Sequence, residues 1–191
     1  MMKTAISVLA LLSLSGCVMV HATVEETEEH GCSASATSCS HPEEAAILAV
    51  VDKVLLAIGN HDYAAQGQLI TPEGTTFLQR TTAEGPRPVQ RRTNAQLMTP
   101  GTNNDPFIER YWSPTVRVRG DIAMVWAPYE LRDNGQVVHC GIDAFDMVKL
   151  DGQWKVGNLM STMEPGACAE LQPPAVSAMR PRDGWRETRN E

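Results

Sequence analysis

Aromatic residues make up only 5% of the 191 positions, and no Gly-x-Gly-x-x-Gly, P-loop, His-Glu-x-x-His or Gly-x-Ser-x-Gly stretch occurs. The chain therefore offers no phosphate cradle, no zincin pair and no nucleophile elbow, and neither a cofactor nor a metal is expected. Basic residues are also in deficit, 16 Lys and Arg against 23 Asp and Glu. That excludes the basic face on which nucleic-acid binding draws, since the nearest approach is Arg91-Arg92 with Arg117 and Arg119 on a later segment. Five cysteines are too few for a disulfide-built miniprotein of this length. What is present, 42% hydrophobic residues in 191, suits one ordinary globular domain with appendages.

The appendages come first. Met1-Met2-Lys3 is a short basic start, and Ile6 to Leu14 is an apolar run too short to span a bilayer of about 30 Å. Residues 1–16 read as a signal peptide, because Leu14-Ser15-Gly16-Cys17 resembles a bacterial lipobox whose Cys17 is lipid-modified. The rival cut follows Val20-His21-Ala22. Both predict export, either as a membrane-anchored lipoprotein facing the periplasm or as a secreted or periplasmic protein. Residues 17–41 read as a flexible acidic tether, with six glutamates and no Lys or Arg between Thr23 and Glu44. Cys32 and Cys39 within it suit a local disulfide or two free thiols better than a metal site with His30 and His41, because the spacing matches no strong zinc pattern. Residues 172–191, with Pro173, Pro174 and Pro181, read as a disordered tail.

The domain is expected over 42–171. Ser40 and Glu43 have capping-box spacing, and Ile47, Val51, Val54, Leu55 and Ile58 recur at helical intervals until Gly59. Asp62 suits the cap of a second, short helix, followed by a strand at Thr75 to Gln79. The segment Thr81 to Asp105 predicts little beyond a helical turn near Asn94 to Met98. Four strands then follow, Thr115–Arg119, Ile122–Leu131, Val137–Leu150 and Gln153–Met163, separated by Gly120-Asp121, Asp133-Asn134-Gly135 and Asp151-Gly152. Helices leading into such a meander give an α+β class, with N-terminal helices packed on a curved, mostly antiparallel sheet.

Pro106 to Trp112, Val118 to Tyr129, His139 to Phe145 and Gly152 to Val156 together resemble the NTF2-like superfamily, and more narrowly its SnoaL-like or putative lumazine-binding group. The resemblance covers about residues 43 to 168. It implies a cone-shaped domain that often pairs as a homodimer through the sheet, and it leaves activity open, because one fold hosts many functions.

Strand alternation, with the turns centred on Asn134 and on Asp151-Gly152, places Tyr129 opposite His139, Val125 opposite Asp143 and His139 opposite Glu164. One face then carries Tyr129, His139, Asp143, Phe145, Trp154, Asn158, Met160 and Glu164, and the other carries Ile122, Met124, Trp126, Ala144 and Leu159. Asp143 among apolar neighbours suits a desolvated general base, with His139 or Tyr129 as acid. Asn158, Glu164, Phe145, Trp154 and Met160 are the expected ligand contacts. A structural hydrogen-bond network explains the same polar residues. Cys140 and Cys168 are expected to pair once exported, the competing reading being a buried thiol at Cys140. The functional expectation is an exported domain binding a small, largely apolar ligand in a conical pocket. A cofactor-independent isomerase, dehydratase or hydrolase is the first alternative, and an envelope interaction module with a filled pocket the second.

Overall fold

Ile47, Val51, Val54 and Leu55 recur at three- and four-residue steps, so one side of helix α1 (Glu44–Gly59) is apolar and wholly buried. The computed structural model describes residues 41–102, 105–175 and 179–180. The expected lipidation at Cys17 and the pairing of Cys32 with Cys39 lie outside the described residues. Of the expected capping box, Ser40 lies outside the described residues. Glu43 is itself the cap residue, and its carboxylate accepts from Lys149 and from the Trp154 indole, tying the helix start to the sheet. α2 (Tyr63–Leu69) is capped as expected, with Asp62 accepting from the Ala65 amide at 2.9 Å.

The sheet contains β1 (Thr75–Thr82), β2 (Gly85–Pro86), β3 (Gln90–Thr93), β4 (Phe107–Tyr111), β5 (Thr115–Arg119), β6 (Ile122–Asp133), β7 (Gln136–Leu150) and β8 (Gln153–Met163). Its order is β2-β1-β8-β7-β6-β4, with β3 also on β1 and β5 also on β6. Among the described strand pairs only β1 against β8 is parallel, so the four-strand meander read from the sequence lies within a larger mixed sheet. Short helices α3 (Asn94–Leu97) and α4 (Cys168–Leu171) complete the element order. The buried face of α1 packs with Val125, Ala127, Tyr129, Phe145, Met147, Trp154 and Val156 in one core.

Two departures from the expected register decide which side chains share a face. Between β6 and β7 the turn is the two-residue Asn134-Gly135, both at positive φ, and a bulge follows between Leu131 and Arg132. Tyr129 therefore pairs with Gly141, Ala127 with Asp143 and Leu131 with His139. This is a shift of two residues, and because side chains alternate with period two it leaves every face unchanged. Between β7 and β8 the Asp151-Gly152 turn is as expected, but the register slips by one between Asp146 and Met147. Gly157 marks the irregularity: its carbonyl accepts from the Asn94 side chain at 2.8 Å, and a Cβ on Gly74 would lie 1.6 Å from it. From Asn158 onward β8 is inverted relative to the expected alternation. Leu159 and Ser161 turn inward, while Met160 turns out and is 47% exposed.

The outer sheet face is divided. At one end Glu130 is fully buried, bonded by Arg110, Arg132 and, at 2.7 Å, Gln172. α4 covers this end, held by the Cys140–Cys168 disulfide, with Cα atoms 5.0 Å apart. The expected disulfide is thus present. Parts of the segment read as a disordered tail are docked, since Gln172 bonds Glu130, Met179 is 3% exposed, and Arg180 bridges the Tyr111 backbone and binds Asp52 at 2.6 Å. The rest of the outer face, including Ile122, Met124, Trp126 and Met160, is exposed.

Candidate functional site

The sheet and the helices enclose a cavity of about 230 Å³, lined by residues of α1, α2, α3, β1, β4, β6, β7 and β8 and the α1–α2 turn. Most of its wall is aliphatic or aromatic, including Val54, Ile58, Ile70, Leu78, Leu97, Phe107, Leu131, Val156, Leu159 and Met163. Several polar wall residues are committed to the fold. Gln66 donates to the Ala57 carbonyl at 3.0 Å, and Thr76 donates to Asn94 Oδ1 at 2.9 Å. Asn94 in turn donates to the carbonyls of Thr71 and Gly157. His61, held at a φ of 53°, places Nε2 2.9 Å from the Asp105 carbonyl and meets Phe107 edge-on at 5.8 Å.

The uncommitted polar groups gather on β4, β6, β7 and β8. Asp143 is 1% exposed, and its Oδ2 has no hydrogen-bond partner. β7 points it inward between Gly141 and Phe145, and β4 brings Glu109 against it from two strands away. Burial pushes the Asp143 carboxyl up to about 6, against the hydrogen bonding that Glu109 offers its charged form. Glu109 is also raised, well above its ordinary value, by burial and then by the charge of Asp143. Two interacting carboxyls in such a place do not both ionise easily, so the pair tends to hold one proton between its members.

Tyr129 and His139 form the neighbouring cluster. Gly141, opposite Tyr129, has no side chain, and a Cβ there would lie 2.9 Å from the Tyr129 ring and 1.9 Å from the Thr162 carbonyl. The ring therefore lies across the strand, and its hydroxyl donates to Thr162 O at 2.8 Å. With its one proton used, Tyr129 Oη accepts from Ser161 Oγ at 3.2 Å and from His139 Nε2 at 3.1 Å. This assigns His139 the Nε2–H tautomer. Burial, with a smaller contribution from the charge of Arg80, lowers its pKa to about 4, so it is neutral at pH 7. Burial raises Tyr129 above its ordinary value. Both are neutral at pH 7, and the Tyr129 hydroxyl proton and the His139 Nε2 proton are engaged in these hydrogen bonds.

Of the site residues read from the sequence, Asp143, His139 and Tyr129 line the cavity together. The five expected ligand contacts do not. Phe145 and Trp154 are core residues, and the slip at Gly157 turns Met160 outward. Asn158 donates to Asp146 and accepts from the Thr75 amide, and Glu164 pairs with Cys140 beside α4. Glu109 and Ser161 were missed. Glu109 stands on a strand within a segment recognised only as part of a resemblance, and an unslipped register would turn Ser161 outward with Leu159. Among the described residues, no group of three or more His, Cys, Asp or Glu is placed to hold a metal ion.

No protein-family model matches the chain, and no curated protein resembles it in sequence. Solved structures do match its backbone. An NTF2-like protein from Cytophaga hutchinsonii superposes with a TM-score of 0.51 at 17% identity, over 65% of this chain and 99% of that one. An NTF2-like protein with a cystatin-like fold from Novosphingobium aromaticivorans gives 0.51 at 13% identity, over 69% and 89%. The domain has the NTF2-like fold. A protein of unknown function from Mycobacterium tuberculosis gives 0.51 at 16% identity, over 64% and 72%. At such identities the likeness extends to the fold alone, so what the NTF2-like domain does must be argued from the cavity.

Proposed function

We propose that this NTF2-like domain binds a small, largely apolar molecule in its cavity, with Asp143 as the polar anchor. The observation that carries this reading is a carboxyl 1% exposed in an apolar wall, with Oδ2 unpartnered. Leaving a buried acceptor unsatisfied costs about 1–3 kcal/mol, and a ligand donor would recover it. A volume of about 230 Å³ exceeds the roughly 150 Å³ cavity that takes benzene, so a bicyclic skeleton suits the space. The same open volume disfavours the envelope interaction module, which requires a pocket filled by its own side chains.

Catalysis is the second reading, favoured by the Glu109–Asp143 pair. Asp143 would act as general base and Glu109, in place of His139 or Tyr129, as proton donor in a cofactor-independent isomerase, dehydratase or hydrolase. Export is part of the proposal: the Cys140–Cys168 disulfide suits an oxidising compartment, with Cys17 acylated as the anchor or the chain released if it is not. So is a homodimer through the exposed outer sheet face. Native mass spectrometry of the protein purified from an oxidising compartment tests the binding. A stoichiometric small-molecule adduct that Asp143→Asn loses is the expected result. A wild-type protein that neither carries nor takes up any small apolar molecule would refute the reading.

A further inference from the structure

The cavity wall contains one buried carboxyl, Asp143, and one half-buried carboxyl, Glu109, and no cation to balance them. Its titratable members are His61, Tyr63, Glu109, Tyr129, His139 and Asp143, and no Lys or Arg lines it. No ion pair among the described residues includes Glu109 or Asp143. His139 is neutral and committed to Tyr129, and His61 Nε2 is engaged by the Asp105 carbonyl. Arg80, whose charge is felt at His139, is an exposed residue resting on Met163 Sδ at 3.5 Å. A carboxylate in such a place lacks both a hydrogen bond at Oδ2 and a counter-charge.

A neutral hydroxyl would meet the first need alone, whereas an ammonium meets both. We propose that the ligand is an apolar amine, its protonated nitrogen seated on the Glu109–Asp143 pair and its hydrocarbon body against the aliphatic wall. The inference rests on the ligand-binding reading above and gives that ligand its chemical class. It carries a proton balance. Without ligand the pair shares one proton, and a seated ammonium favours ionisation of both carboxyls, so the pair gives that proton to solvent on binding.

Isothermal titration calorimetry at pH 7.5 with 2-naphthylmethylamine and 2-naphthalenemethanol tests this, since the probes share one skeleton and differ in charge. The amine is expected to bind about tenfold more tightly, as a charge-assisted hydrogen bond exceeds a neutral one by about that factor. Its binding enthalpy should vary with the buffer, reporting proton release. In Asp143→Asn the ratio of amine to alcohol affinity should fall to about one. In Glu109→Gln, which leaves Asp143 in place, the buffer dependence should vanish. An alcohol that binds as tightly as the amine, or an amine preference that survives Asp143→Asn, would overturn the inference while leaving the cavity a binding site. Failure of both probes to bind would overturn the binding reading along with it.

Discussion

Ionisation of Asp143 and of His139 pulls stability in opposite directions as pH changes. Asp143 is raised in the fold from 3.8 to about 6, so the native state binds its proton more tightly than the unfolded chain. Its contribution is fully present below about pH 4 and is lost as pH rises through 6, by about 3 kcal/mol. His139 is lowered from 6.5 to about 4, so its contribution is present above pH 6.5 and is lost as pH falls toward 4. Asp143→Asn should therefore be more stable than wild type by about 3 kcal/mol at pH 7 and nearly equal to it at pH 4, measured by urea denaturation at both pH values. Equal stabilities at pH 7 would show that Asp143 is not a desolvated charge. The sequence made Asp143, His139 and Tyr129 visible because period-two alternation survives a two-residue shift. Glu109 was not visible, because nothing local indicates that β4 is laid beside the outer end of β6.

At the scale of elements, the Cys140–Cys168 bridge is what fixes α4 to the sheet. α4 has four residues, too few to be stable alone, and it lies over the buried Glu130, which Arg110 and Gln172 hold ionised against the cost of its burial. A crosslink spanning 28 residues restricts the unfolded chain by about 3–4 kcal/mol in the loop-entropy account. Replacing both cysteines by Ala should lower unfolding stability by about that amount, and the reduced wild-type protein should unfold with the double variant, not with the oxidised protein. Coincident denaturation curves for the oxidised and reduced forms would contradict this. Hydrophobic period and turn chemistry identified α1, α2 and the four strands of the meander, since each of those signals is local. The bulge at Gly157 escaped because its cause is tertiary: Asn94 and Gly74, more than sixty positions earlier, meet its carbonyl and divert it from the ladder.

For the molecule as a whole, the open question is what covers the outer sheet face. Ile122 is 62% exposed and Trp126 47%, alongside Met124, Phe77 and Met160, an apolar face of a kind that marks association surfaces. The proposed homodimer predicts a two-subunit mass by light scattering, shifted to one subunit by Trp126→Glu with the fold intact by circular dichroism. A wild-type protein that is monomeric at micromolar concentration would reject it. The sequence by itself determined the α+β class, the order of the central elements, the two-sided apolar sheet and the expectation of a disulfide, because periodicity, turn residues and cysteine placement are properties of neighbouring residues. Tertiary structure alone decided that β1 runs parallel to β8, that Ser161 faces inward while Met160 does not, and that Glu109 meets Asp143. Each of those depends on contacts between segments far apart in the chain, where a single-residue bulge or a strand's choice of neighbour reverses which face a side chain takes.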